Sequence, residues 1–197
     1  MTDPFSSVHL LREASPYIQQ HRNKTFVIAF SGEVIEHDNF PGLIRDIATV
    51  AALGSRIVIV HGARTQINKR LATAGRLSQF HHNSRVTDLD DIPLVEEAIG
   101  YLRIKIENLL SHALNQASLA NDSIGVSSGN YITAQPLGII DGVDYGYTGK
   151  IRRIAHPKIQ QQLSATNIVL MSSIGYSPRV KPTISTTNKL PSAPQKP

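Results

Sequence analysis

The sequence contains no cysteine. That absence excludes a disulfide-stapled scaffold and a cysteine-ligated zinc site, and it suits a reducing compartment, so the expected location is cytoplasmic. Long hydrophobic runs are also missing. No stretch approaches the roughly 20 apolar residues needed to span a bilayer. The opening MTDPFSSVHLLREASPYI lacks the basic start and unbroken apolar run of a signal peptide. No membrane association is therefore expected. Acidic residues are absent from residues 178–197, which carry Arg179, Lys181, Lys189 and Lys196. The chain as a whole has a formal charge of +5, and without that tail about +1 remains. A nucleic-acid face should be concentrated on the folded body, so no nucleic-acid partner is expected.

What is present fits a soluble globular protein: 197 residues, 41% hydrophobic and 18% charged. Residues 6–22 read as a helix with Val8, Leu11 and Ile18 on one face, kinked or divided at Pro16. Its apolar side packs either on its own domain or on another subunit. Residues 24–35 read as the first core strand, with a glycine turn at Ser31-Gly32. Asn39 and Pro41 open a helix that Gly54 closes.

Residues 56–60, RIVIV, have the β-branched profile of a buried strand. They run into the turn His61-Gly62-Ala63-Arg64 and a helix carrying Ile67 and Leu71. Strand, glycine turn and helix N-terminus together leave unpaired N–H groups beside a partial positive charge. Such a turn is either a plain connection or a seat for a carboxylate or phosphate. The alternation of strand and helix predicts a parallel sheet covered by helices.

Residues 75–84 read as a polar loop whose adjacent His81 and His82 complete no metal-ligand spacing. Residues 85–88 are extended, and a long helix follows with Leu94, Ala98, Leu102, Ile106, Leu109 and Ala113 as its apolar stripe. After residue 123 come short strand candidates at 124–126, 131–134, 145–149 and 150–154, read as hairpins at one edge of the sheet. A short helix at 157–164 precedes a buried strand at 168–171, which is expected to lack its sheet neighbours and to offer an unpaired edge. Residues 178–197, with five prolines and few aliphatics, read as disordered. Ser127, Ser128, His61 and the aspartates form no readable nucleophilic triad.

The order of elements, with FVIAFSGEVI, VIVHGARTQI, RVTD, AQPLGIIDGVDYGYTGKIRRI and IVLMSSIGYSP, resembles the amino-acid kinase domain of bacterial N-acetylglutamate synthases of the classical type, in which it is fused to an acetyltransferase domain. The chain is more distantly similar to N-acetylglutamate kinase. The resemblance covers residues 6–177. It implies an α/β three-layer sandwich with a mainly parallel central sheet, the amino-acid kinase (carbamate kinase-like) fold, of which this chain holds the N-terminal lobe only. The domain reading is an N-terminal helical segment at 1–22, the lobe at 23–177 and the basic tail at 178–197.

The resemblance implies a place in arginine biosynthesis: acetyl transfer from acetyl-CoA to L-glutamate, inhibited by arginine. Acetyl-CoA would be bound by the acetyltransferase domain, so no cofactor is expected on this chain and no residue is assigned to catalysis or to a metal. After Ser177 the sequence leaves the family's pattern, which predicts a truncated or frameshifted product that is inactive alone. The kinases' first-strand lysine falls here at Ala29 or Phe30, which argues against phosphoryl transfer. Gly62 is kept in the second turn, whereas Ala63 and Arg64 replace glycines, and Arg64 adds a fork suited to a carboxylate. Arg85 matches the kinase arginine that holds the acylated amino acid; its other reading is a surface arginine paired with Asp88 or Asp91. Gly32, Gly62, Ala63, Arg64 and Arg85 are thus the candidate pocket, with L-glutamate, N-acetylglutamate or arginine as ligand and a second copy of the chain as partner through the N-terminal helix. The alternative function is a non-catalytic amino-acid-binding or assembly module.

Overall fold

The computed structural model describes residues 4–117, 124–177 and 182–185. Its centre is a four-stranded parallel sheet in the order β1–β2–β10–β5, made of β1 (Thr25–Phe30), β2 (Arg56–His61), β10 (Ile168–Met171) and β5 (Val126–Ser128). Side chains alternate across a strand. In β2, Ile57 and Ile59 therefore face one way and Val58 and Val60 the other, and both faces are covered. The register sets Val169 beside Val58 and Leu170 beside Ile59, so the alternation runs on through β10.

Ile57, Ile59, Ile168 and Leu170 share the larger core with the helices α3 (Phe40–Ala52), α4 (Arg64–Thr73) and α5 (Ile92–Ala117). α5 supplies Val95, Leu102, Ile106 and Leu110, one apolar stripe at helical spacing. The opposite face is covered by Leu163 of α6 (His156–Ser164) and by Tyr131 and Ile132. Ile132 opens β6 (Ile132–Pro136), which pairs antiparallel with β9 (Thr148–Ile154). Together with β11 (Ile174–Tyr176) and β12 (Pro182–Ser185) these strands close a small ring, β11–β12–β9–β6. The mainly parallel sheet, layered between helices and a second cluster, is the expected amino-acid kinase architecture.

The structure corrects several sequence expectations. The strand at 168–171 is not an open edge: β10 lies inside the sheet, between β2 and β5. The strands after residue 123 do not all hang at one edge, because β5 joins the central sheet and β6 and β9 build the ring. The first strand stops at Phe30, and Gly32–Glu36 is a short helix, α2. Residues 75–84 are not a plain loop: β3 (Gln79–His81) and β4 (Ser84–Val86) form a hairpin. His82 and Asn83 both take positive φ at its tip, as a two-residue hairpin turn requires. Pro16 does not divide the first helix, α1 (Pro4–His21); the bond that it forfeits, to the Arg12 carbonyl, lies on an exposed stretch. Of the tail read as disordered, Pro182–Ser185 is strand β12, and the remainder of that tail lies outside the described residues. Among the described residues no helix is long and apolar enough to cross a membrane.

Candidate functional site

Gly32, Gly62, Ala63 and Arg64 follow the C-terminal ends of β1 and β2, where open α/β sheets present their ligand sites, and Arg85 comes from β4. They divide into two groups. Gly32, Gly62 and Ala63 close the turns. A Cβ on Gly62 would sit 3.4 Å from the Ser31 Cα, and one on Gly32 would collide with the Gln66 amide and lie 3.4 Å from the Ala63 Cα. The Gly62 N–H donates to the Phe30 carbonyl at 2.9 Å. Gln66 reaches back from α4, and its Nε2 donates to the Gly32 carbonyl at 2.8 Å and to Glu36 at 3.0 Å. Its Oε1 is buried without a hydrogen-bond partner among the described residues. The glycines therefore let the two turns touch. The Gly62 N–H is thereby already committed to the neighbouring turn.

Arg64 and Arg85 form the second group, and both lie over one ring. Their guanidinium carbons are 4.3 and 4.7 Å from the centroid of Phe80 on β3. Arg64 is exposed and donates to Asn83 Oδ1 at the hairpin tip, 3.0 Å away. Arg85, on β4, is only 5% exposed. Its Nη1 donates to Ser78 Oγ at 2.6 Å and its Nη2 to Asn68 Oδ1 at 2.5 Å. Burial, with the neighbouring Arg64 charge, lowers the Arg85 pKa to about 10, opposed in part by Asp91, so the group remains cationic at neutral pH. Asp91 is engaged by Arg76 instead. Two guanidinium groups thus converge on one aromatic ring, where the hydrogen bonds named are to neutral acceptors. Such a place favours an anion.

The segment after β4 is tied to β9. The Thr148 Oγ1 donates to the Arg85 carbonyl at 2.6 Å and pairs with Thr87 Oγ1 at 2.9 Å. Gly146 takes φ +56° against the Thr87 carbonyl, an approach that a Cβ would block. The histidines of the hairpin serve the same junction: His81 Nδ1 bonds the Tyr145 hydroxyl at 2.8 Å, and His82 lies 3.4 Å from Asp141.

A second polar group was not legible as a site in the sequence. His61, the last residue of β2, is fully buried, and its Nε2 lies 3.1 Å from Ser172 Oγ just beyond β10. Burial lowers its pKa, the Gly62 carbonyl partly opposes this, and the ring stays neutral at pH 7. Ser128, at the end of β5, donates to Glu107 on α5 at 2.5 Å. The paired serines at the two strand ends are the only trace of this group in the sequence.

The family model described as the amino acid kinase family matches residues 24–190. The chain belongs to that family. Within it, the chain is similar to an amino-acid acetyltransferase from Ectopseudomonas mendocina, 45% identical over 168 residues, which make up 85% of this chain and 39% of the relative. A second amino-acid acetyltransferase, from Azotobacter vinelandii, is 45% identical over 171 residues, 87% of this chain and 40% of that protein. Among solved structures, the N-acetylglutamate synthase from Neisseria gonorrhoeae complexed with coenzyme A and L-arginine superposes with a TM-score of 0.77 at 33% identity. That match covers 90% of this chain and 42% of the synthase. The chain thus spans about 40% of the length of the curated relatives that it matches.

Proposed function

We propose that this chain is the kinase-like lobe of an N-acetylglutamate synthase-like protein of arginine biosynthesis, cytoplasmic and inactive in acetyl transfer by itself. The match over 90% of the chain to a synthase solved with coenzyme A and L-arginine carries this reading. In this reading, acetyl transfer from acetyl-CoA to L-glutamate belongs to an acetyltransferase domain. Phosphoryl transfer is also excluded from the proposal, since Ala29 and Phe30 stand where the kinases' lysine would neutralise charge. What the lobe contributes is an anion site. The ligand carboxylate lies against Arg64, with the buried Arg85 adding its charge beside the same Phe80 ring. L-glutamate, N-acetylglutamate and arginine all carry that carboxylate.

A second reading, an assembly module, rests on α1. Its Val8, Leu10, Leu11 and Tyr17 are all exposed, Leu11 by 64%. An apolar helix left uncovered suits a second copy of the chain. Purified protein given acetyl-CoA and L-glutamate is expected to form no N-acetylglutamate; turnover would overturn the proposal. Sedimentation of Leu10→Ser/Leu11→Ser beside the parent chain tests assembly, with a shift to the monomer expected.

A further inference from the structure

Away from the arginine pair, a cavity of about 480 Å³ opens where β5 and β10 end against α5. Its polar lining holds Ser128, Ser172 and Arg103, together with the carboxylate of Glu96 and the hydroxyl of Ser177. The register of β5 and β10 pairs Ser128 with Leu170, two residues before Ser172, so both hydroxyls arrive at the same end of the sheet.

The protons of both hydroxyls are already committed. Ser128 donates to Glu107 Oε1. His61 Nδ1 lies 3.3 Å from the Gly62 carbonyl, which can only accept. That arrangement puts the ring proton on Nδ1 and leaves Nε2 bare, so Ser172 donates to it. Each serine therefore turns an acceptor lone pair to the cavity, and such a pair calls for a donor. Arg103 supplies the opposite chemistry. Its Nε is buried without a hydrogen-bond partner among the described residues, and Glu107 Oε1 is 3.9 Å away. The rest of the wall includes Ile99, Ile132 and Met171. Donor-seeking oxygens, a guanidinium and an aliphatic wall in one space match a compact zwitterion with an apolar side chain.

We propose that this cavity binds a free aliphatic α-amino acid, its ammonium donating to Ser128 and Ser172 and its carboxylate accepting from Arg103. The site is distinct from the Arg64–Arg85 pair, and its aliphatic wall selects an amino acid with an uncharged side chain. Both charges of the ligand are needed. The test is calorimetric titration of the full chain with L-leucine, isoamylamine and N-acetyl-L-leucine. L-leucine is expected to bind, and each analogue to bind about tenfold more weakly or worse: isoamylamine leaves the Arg103 guanidinium without a carboxylate, and N-acetyl-L-leucine replaces the ammonium donors of the two serines with a single amide N–H. Arg103→Gln should weaken L-leucine by about the same factor. The Arg103 side chain is 43% exposed, so the variant should fold, which circular dichroism verifies. Arg64→Gln should keep the L-leucine binding that Arg103→Gln weakens, which separates this cavity from the site of the proposed function. The proposal is overturned if L-leucine does not bind, if N-acetyl-L-leucine binds equally well, or if Arg103→Gln binds L-leucine like the parent.

Discussion

The two ends of the central sheet's C-terminal rim are built differently. Over β1 and β2 the chain is closed: Gly32, Gly62, Ala63 and Gln66 are packed into each other, and Arg85 is locked beneath Phe80. Over β10 and β5 it is open, with hydroxyls and a guanidinium around a cavity of about 480 Å³. Glycines follow β1 and β2 at the closed end, and Gly129 follows β5 beside the cavity at the open end. At the closed end the glycines mark where two backbones meet. The anion affinity proposed for the closed end rests on the arginines, not on the turns.

The largest effect that would sharpen this contrast comes from Arg85→Met. It removes two charged donors from a half-buried place and leaves Ser78 and Asn68 with only the 2.9 Å bond between them. A loss of about 3 kcal/mol is expected in urea unfolding. A loss below about 0.5 kcal/mol would mean that Arg85 is held for a ligand instead, as unexplained surface changes cost no more than that. Next comes Gly32→Val, which forces the Gln66 amide away from the turn. The displaced atoms are the free end of a flexible side chain, so the cost is at the low end of overpacking, about 1 kcal/mol. If Gly32→Val were neutral, the closed end would be loose enough to admit a ligand after all.

His61 joins the two ends, since it closes β2 beside Gly62 and bonds Ser172 at the cavity. Its folded pKa is depressed by burial, so the unfolded chain takes up the proton first. Stability is therefore full above the unfolded value near 6.5 and falls as pH drops below it. The slope contributed by one such group is at most about 1.4 kcal/mol per pH unit. Urea midpoints measured at neutral and mildly acidic pH should show this loss, and His61→Asn should flatten it. An unchanged slope in His61→Asn would place the acid sensitivity elsewhere.

Much of the sheet was legible beforehand because its signals are local. The run IVIV in β2 reports a strand buried on both faces, and the stripe along α5 reports a helix with one buried side. The position of β10 was not legible, because its neighbours come from residues 58–60 and 126–128 and only the parallel crossovers bring them together. The same holds for the sites. Arg64 and Arg85 could be named from their resemblance to the family's motifs, but Phe80, the ring that they share, sits in a hairpin that reads as polar loop. Ser128 and Ser172 are 44 positions apart and converge only through strand register. Arg103 carries no motif at all, being one charge on an otherwise ordinary helix.

The smallest expected stability change is the one that most directly compares the two arginines on Phe80. Arg64 is exposed, and it gives one hydrogen bond to Asn83 and one contact with the ring. Both are weak in water, so Arg64→Gln should cost about 0.5 kcal/mol, well below the cost at Arg85. Its effect on ligand should run the other way. A carboxylate arriving from solvent meets Arg64 first, whereas Arg85 already spends two donors on Ser78 and Asn68. Titration with L-glutamate, N-acetylglutamate and arginine should therefore show weaker binding in Arg64→Gln at almost unchanged stability. Unaltered affinity for all three would leave Arg64 with the hairpin tip as its whole purpose, and the closed end of the rim would then be closed to anions as well.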